Sequence, residues 1–153
     1  EVKANFAVQP AKDWLIDLNG SYSWTPSINE GEKMSPADQS VGKQLPYVPK
    51  HSASLTGRLS WRTWAFLYKW AFYSERYTMS SNDITLTGRL TPYLMRNLSL
   101  EKGLSLRCAD LTLKGTVNNL FNEEYLSVLS RPMPRMNAEF FIGIKPKWGT
   151  KKR

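Results

Sequence analysis

The chain has 153 residues, enough for one domain, and it contains no run of about 18 apolar residues, so a membrane-spanning helix is excluded. The formal net charge is +8, but the basic residues are scattered apart from the terminal Lys151, Lys152 and Arg153, which argues against a nucleic-acid partner. Cys108 and His51 are each the only residue of their type, so an intrachain disulfide and a cysteine metal cluster are excluded.

The first part of the chain alternates apolar and polar residues with a period of two, which is typical of β-strands with two different faces. Residues 2–9 and 14–24 each follow this pattern, and the link between them at 10–13 is short. A polar segment at 27–46 is rich in Gly, Pro, Ser and acidic residues and predicts a long loop.

The same alternation predicts five further strands. They span residues 53–61, 64–72, 84–94, 111–118 and 139–148. The link at 62–63 is minimal, whereas the link at 119–136 is long. A tilted transmembrane strand needs only about 9–11 residues with every second one apolar, so strands of this length suit a membrane.

Charged and apolar residues are separated between the two predicted faces. One face carries all the charges, which are Lys3, Asp17, Arg58, Lys69, Arg89, Lys114, Glu139, Lys145 and Lys147. Lipid requires such a separation, because an Arg or Lys facing lipid at the middle of the bilayer costs about 2–4 kcal/mol. Arg96 breaks the pattern if the fifth strand continues past Leu94, and we then expect it at the membrane interface, where this cost falls towards zero.

Tryptophan positions and link lengths favour a transmembrane barrel over a soluble β-sandwich, which would also alternate. Five tryptophans lie near predicted strand ends, as interfacial girdles require: Trp14, Trp24, Trp61, Trp64 and Trp148. Short and long links alternate, which places turns on one rim and loops on the other. The predicted fold is all-β, with about seven C-terminal strands of a larger transmembrane antiparallel up-and-down β-barrel at 1–148 and a basic tail at 149–153.

Several segments resemble the C-terminal end of TonB-dependent outer-membrane receptors. Residues 44–52 (QLPYVPKHS) are similar to the family segment that re-enters the barrel after a surface loop, and residues 90–93 (LTPY) are similar to another recurrent element. Residues 117–125 (VNNLFNEEY) carry the most specific resemblance, to the family's NLFN…Y element near the top of the penultimate strand. Residues 131–135 (RPMPR) fit the last loop before the closing strand.

Three asparagines of this element suit a strand that leaves the bilayer. Asn118, Asn119 and Asn122 belong to a residue type that adopts turn conformations and bonds its own backbone. We interpret them as a strand-end cap with no role in ligand binding.

Two features depart from the family pattern. Trp148 fits the aromatic residue on which the closing strand usually ends, but Pro146 interrupts that strand and the basic tail follows it. The family's plug and TonB box are not in the sequence, and its barrel has about 22 strands. We therefore expect a fragment that begins inside the barrel and ends with its closing strand, because a sheet with open edges is not tolerated in lipid.

The resemblance implies a receptor in the outer membrane of a Gram-negative bacterium that imports a scarce nutrient, such as a ferric siderophore, haem or cobalamin. Its partners would be outer-membrane lipid, the imported ligand and the TonB complex, which would be engaged through an absent N-terminal region. Loops 27–46 and 119–136 would contribute to ligand capture. The candidate ligand-binding residues are Glu30, Glu32, Asp38, Tyr125, Arg131 and Arg135, and the candidate lumen-facing residues are Arg58, Lys69, Arg89 and Lys114.

The sequence contains no motif that predicts catalysis. A nucleophile–base pair, a Gly-rich phosphate loop and a His/Cys metal spacing are all missing, so we expect neither an enzyme nor a bound cofactor or metal. Glu30, Glu32 and Asp38 could bind a cation, but solvated acidic loops are common. Two alternatives stay open: a small self-contained outer-membrane barrel with an adhesion or structural role, closed by an eighth strand within 96–110, and a soluble β-sandwich that binds acidic polymers.

Overall fold

The computed structural model describes residues 1–147. None of these residues forms a helix long and apolar enough to cross a membrane. The described residues form eleven strands, namely β1 (Val2–Ala11), β2 (Trp14–Trp24), β3 (His51–Trp61), β4 (Trp64–Tyr73), β5 (Arg76–Tyr77), β6 (Arg89–Leu90), β7 (Tyr93–Ser105), β8 (Ala109–Asn118), β9 (Leu126–Val128), β10 (Arg131–Pro132) and β11 (Asn137–Pro146). The expectations for Trp148 and for the basic tail lie outside the described residues.

Seven of the strands form one antiparallel sheet in the order β1-β2-β3-β4-β7-β8-β11. Each long strand pairs with the next long strand along the chain, so the topology is up-and-down. The pairs β5–β6 and β9–β10 form two small ladders outside this sheet. The prediction of about seven antiparallel strands is confirmed, and within the described residues the sheet has two free edges, β1 and β11.

Short turns lie at one end of the sheet and long loops at the other. The end with the turns at 12–13, 62–63 and 106–108 is the turn rim. The opposite end is the loop rim, and it carries loop A (residues 25–50), loop B (74–92) and loop C (119–136). The predicted alternation of short and long links is therefore confirmed, with one turn and one loop more than the sequence indicated.

The strand register gives the sheet one polar face and one apolar face, since residues paired across strands point to the same side. Asp17 pairs with Arg58 on the polar face, whereas Leu55 pairs with Trp70 on the apolar face. No second layer covers the apolar face in the described part of the chain, and Phe140 is 69% exposed there. A soluble sandwich would bury this face against another sheet, so the single sheet contradicts the sandwich alternative.

The predicted strand at residues 84–94 is wrong. The fifth strand of the sheet is β7, and residues 78–88 form no strand but belong to loop B. Ile84 and Leu86 are 74% and 99% exposed. Their side chains alternate with polar residues as in a strand, but they are not buried against any other described residue. The suggested eighth strand within 96–110 is wrong as well, because those residues complete β7, form the third turn and begin β8.

Two cations lie on the apolar face of β7, and both reach towards a rim. Arg96 is paired with Trp70, and its guanidinium carbon lies 4.7 Å from the centre of the Phe121 ring in loop C. Lys102 is paired with Trp64 beside the turn at 62–63. Long basic side chains can extend their charge to the interface, where its cost falls. The structure thus places Arg96 beside the loop rim, as expected for an interfacial residue.

Leu55 and Thr56 provide a test of the two faces, because they are neighbours near the middle of β3 that point to opposite sides. We expect Leu55→Arg to lower the free energy of unfolding in a bilayer by about 2–4 kcal/mol, since the guanidinium enters lipid. Thr56→Arg is the matched control and should change it little. Denaturant titration of the protein in lipid vesicles measures both values. Equal costs would show that the faces are assigned wrongly.

Candidate ligand-binding surface at the loop rim

Loops A and B are joined by a side chain that makes the two hydrogen bonds a paired backbone residue would make. The Asn82 side-chain amide donates to the carbonyl of Gln44 at 2.7 Å, and its oxygen accepts from the N–H of Gln44 at 2.7 Å. The φ angle of Asn82 is 55°, a left-handed value that asparagine tolerates better than most residues. The N–H of Tyr47 also donates to the carbonyl of Tyr77 at 2.7 Å, so the two loops are fixed at two points.

Arg76 connects loop B to loop C from a buried position. The residue is only 5% exposed, and Nη2 donates to the carbonyl of Leu126 at 2.8 Å while Nη1 donates to that of Ser127 at 3.5 Å. Its guanidinium carbon lies 4.9 Å from the centre of the Tyr93 ring. Among the described residues Nε has no hydrogen-bond partner. Burying a charge costs several kcal/mol, so the carbonyls and the ring must offset much of that cost.

Three tyrosine rings pack against one another beside Arg76, at the loop end of the polar face. Tyr73 and Tyr93 pair across β4 and β7, and their ring centres are 5.1 Å apart. Tyr125 comes from loop C, and its ring centre lies 4.6 Å from that of Tyr93. Aromatic pairs at such distances stabilise by about 0.5–1.5 kcal/mol beyond their buried area. These ring contacts therefore join loop C to the sheet.

The asparagine-rich segment forms a closed turn at the start of loop C. Asn119 is 2% exposed, and its side-chain amide exchanges two hydrogen bonds of 2.8 Å with the backbone of Glu123. Asn119 and Asn122 have φ angles of 50° and 54°. The Asn122 side-chain oxygen accepts from the N–H of Met136 at 3.1 Å, near the other end of the loop. The prediction that these asparagines form turns and bond the nearby backbone is confirmed for Asn119 and Asn122. Asn118 instead ends β8, and its side-chain amide donates to the side chains of Asn137 and Glu139.

Two of the candidate ligand-binding residues share a cleft in loop C. Tyr125 and Arg135 both line this cleft, which has a volume of about 380 Å³, together with Glu124 and Met133. Arg135 and Glu124 form an ion pair whose side chains are 57% and 70% exposed, so the pair stays accessible to solvent. Arg131 is exposed in β10 and does not line the cleft.

The three acidic candidates of loop A do not form a common site. Glu30 and Glu32 are exposed, whereas the Asp38 carboxylate accepts hydrogen bonds from the N–H of Ser40 at 2.9 Å and of Met34 at 3.2 Å. The hydrogen bonds, chiefly those of Ser40, lower the pKa of Asp38 below its ordinary value. Within residues 1–147 no group of three His, Cys, Asp or Glu could hold a metal ion. Asp38 therefore shapes its own loop.

Three of the four candidate lumen residues lie on the polar face. Arg58 is paired with Asp17 and Lys114 with Glu101, so opposite charges face each other. Lys69 is paired with the neutral Asn97. Arg89 does not belong to this face, and its place in the predicted fifth strand is wrong. It lies in β6 of loop B, where Nη1 is 3.2 Å from Glu75 Oε2.

The residues that connect the loops were missed by sequence reasoning. Arg76 lies between two predicted strands and bonds to carbonyls about fifty positions away, which no local pattern indicates. Asn82 carried a usable signal, because it lies in a polar run of Ser, Asn and Asp at 80–83 that favours a turn with positive φ. That signal marks a turn directly before the predicted strand but does not by itself exclude the strand.

Arg76 and Arg89 allow a matched test, because one is buried and the other exposed in the same β5–β6 pair. We expect Arg76→Met to release loop C and to speed amide exchange in residues 124–132 by roughly 5- to 100-fold, since two carbonyls lose their donors. Arg89→Met should leave that exchange unchanged, because an exposed ion pair contributes little. Hydrogen-exchange mass spectrometry measures both, and equal exchange in the two variants would contradict the role of Arg76.

The family model described as "TonB dependent receptor-like, beta-barrel" matches residues 1–120. The match covers six of the seven strands of the sheet together with loops A and B, whereas almost all of loop C and β11 lie beyond it. No curated protein matches the sequence. Members of the family are receptors and transporters of the Gram-negative outer membrane, and it is not a family of enzymes. With most of its length matched and the expected antiparallel sheet in place, the chain belongs to the TonB-dependent receptor β-barrel family.

Proposed function

We propose that this chain is part of an outer-membrane receptor of a Gram-negative bacterium that imports a scarce nutrient, such as a ferric siderophore, haem or cobalamin. One observation carries the proposal: a sheet with an apolar outer face has a polar face that ends in three interlocked loops. Membership of the family supports transport in general. The kind of ligand is our proposal, and it follows from the resemblance to the family.

The polar face lines the lumen in this proposal. Arg58 and Lys69 lie on it in the adjacent strands β3 and β4, and Lys114 lies on it in β8. The cross-strand neighbours Asp17 and Glu101 place negative charge opposite Arg58 and Lys114. Charged side chains of both signs require water or a polar partner, which a lumen with a plug provides. The opposite face is mostly apolar and suits contact with lipid, which favours this orientation of the sheet.

The cleft in loop C is the ligand-capture surface that we favour. It combines the ring of Tyr125 with the guanidinium of Arg135, whose ion pair with Glu124 is exposed and can exchange for a ligand anion. An aromatic face beside an arginine suits a ligand with planar groups and negative charge. Arg131, Glu30 and Glu32 are exposed elsewhere in loops C and A and would add charge to the loop rim, whereas Asp38 is bonded within its own loop.

The partners in this proposal are outer-membrane lipid, the imported ligand and the TonB complex. Lipid contacts the apolar face, and the ligand contacts the loop rim. The TonB complex acts through an N-terminal region that the seven strands do not include. A self-contained barrel with an adhesion role is less well supported, because β1 and β11 do not pair with each other in the described residues.

Trimming two loops tests ligand capture. The backbones of Asn29 and Lys43 are already hydrogen-bonded across loop A, so replacing residues 30–42 by two glycines preserves its base. In loop C, Tyr125→Ala with Arg135→Gln removes the two cleft side chains. We expect the intact receptor to bind at least one chelate among ferric hydroxamates, ferric catecholates, haem and cobalamin, and the combined variant to bind it at least about tenfold more weakly.

Isothermal titration of the purified receptor measures these affinities. Arg62→Gln, which lies on the turn rim, is the control and should leave them unchanged. Undiminished affinity after both loop changes would contradict the proposal.

Cysteine accessibility tests the orientation of the sheet. In a Cys108→Ser background, Lys69→Cys and Lys114→Cys place thiols on the polar face, while Tyr68→Cys and Leu113→Cys place them one position away on the apolar face. We expect a water-soluble maleimide to label positions 69 and 114 in vesicles, and a lipid-soluble reagent to label 68 and 113. Labelling of positions 69 and 114 from lipid would refute the lumen assignment.

A further inference from the structure

An apolar groove lies on the apolar face beside the turn rim. Its volume is about 340 Å³, and its lining residues are Trp14, Leu59, Trp61, Trp64, Phe66 and Leu100. The rings of Trp14 and Trp61 are stacked with their centres 5.7 Å apart. All three tryptophans are 38–39% exposed, so their faces are open to whatever surrounds the sheet. The groove is shaped for a flexible apolar chain rather than for water.

Two cations lie at the rim end of the groove, each over one of its tryptophans. The Arg62 guanidinium carbon is 5.4 Å from the centre of the Trp61 ring, and Lys102 Nζ is 4.3 Å from that of Trp64. Lys102 Nζ also donates to Thr63 Oγ1 at 2.7 Å. These contacts hold the lysine ammonium at the point where the groove meets the turn.

The charge at this rim is incompletely balanced by the protein. Asp13 is paired with Arg62 at 3.2 Å, and Asp110 with Lys147 at 2.8 Å. Among residues 1–147 no carboxylate lies within 4.0 Å of Lys102 Nζ. An ammonium has three protons to donate, and the described residues accept one of them.

The position of Lys102 is unusual for a strand of this kind. It lies on the apolar face, in the row of Trp64 and Leu113, where the neighbouring strands carry only apolar residues. A lysine facing lipid destabilises unless it reaches the interface or meets an anion. An anion held between Lys102 and Thr63 would account for a cation at this position.

We propose that the groove binds an anionic glycerophospholipid, with phosphatidylglycerol as the representative. One acyl chain lies along the tryptophans, and the phosphate accepts hydrogen bonds from Lys102 and Thr63. In outer-membrane barrels the short turns face the periplasm, so the site opens to the periplasmic leaflet. The inference rests on the part of the proposed function that places the chain in a membrane and is independent of the imported nutrient.

Native mass spectrometry of the purified receptor containing this chain tests the site. We expect phosphatidylglycerol to bind more tightly than phosphatidylcholine of the same acyl chains. Lys102→Gln should lower the affinity for phosphatidylglycerol by roughly fivefold, the effect of one cation near an anionic surface, and Lys102→Arg should largely preserve it. Lys145→Gln is the matched control, because Lys145 is near the same rim but on the polar face, and it should have no effect.

Three outcomes would overturn the proposal. These are equal affinity for the two phospholipids, an equal loss in Lys102→Gln and Lys145→Gln, and tighter binding of lipid A than of phosphatidylglycerol. If Lys102→Gln fails to fold, as judged by loss of heat-modifiable migration, Phe66→Ala replaces it, since it alters the wall of the groove without touching a charge. Unchanged affinity for phosphatidylglycerol in Phe66→Ala would then refute the site.

The lipid site and the proposed function can fail independently of each other. A receptor that inserts into membranes and binds its nutrient without preferring phosphatidylglycerol would contradict the lipid site alone. A receptor that prefers phosphatidylglycerol without binding any of the chelates or cobalamin would contradict the nutrient proposal alone.

Discussion

A strand in hydrocarbon satisfies its backbone N–H and C=O groups only by pairing with a strand on each side. In this chain five of the seven long strands have neighbours on both sides, and the sheet runs without interruption from β1 to β11. In the described residues β1 and β11 each have one unpaired edge, and in lipid the backbone groups of both edges must pair with further strands. The barrel architecture of the family supplies them, and the sheet is a sector of such a barrel.

The same constraint explains what happens at the rims. Backbone groups in the loops have no paired strand, so side chains supply their hydrogen bonds. Asn82 bonds the backbone of Gln44, Asn119 bonds that of Glu123, and Arg76 donates to two carbonyls of loop C. The bonds of Asn82 and Arg76 join three loops that are far apart in sequence into one surface. At the opposite rim the turns are short, and tryptophans and cations lie beside them.

Sequence reasoning recovered most of the sheet because alternation is a direct consequence of having lipid on one side. β2, β3, β4 and β8 follow it without a break, and their predicted bounds differ from the observed ones by about two residues at most. The fifth strand was misplaced for a physical reason. Arg96 and Lys102 interrupt the apolar face of β7, whereas Ile84 and Leu86 imitate a strand in a loop where they are exposed.

The candidate site was less predictable than the sheet. Long polar links indicated where loops A and C lie, and the family resemblance indicated that Tyr125 and Arg135 belong near a ligand. The contacts of Arg76 with Leu126 and Ser127 depend on how the loops fold over the sheet, and short-range patterns contain no information about that. The sequence also did not indicate that the acidic residues of loop A form no common site. One of them, Asp38, bonds the backbone of a local turn instead.

An immunoblot of fractionated Gram-negative cells, with an antibody raised against residues 27–46 of loop A, tests whether this sheet is part of a larger barrel in the outer membrane. We expect a band in the outer-membrane fraction, several times heavier than the 17.6 kDa of this chain, because further strands must complete the open sheet. A band in the soluble fraction, or one near 17.6 kDa in the membrane, would contradict it.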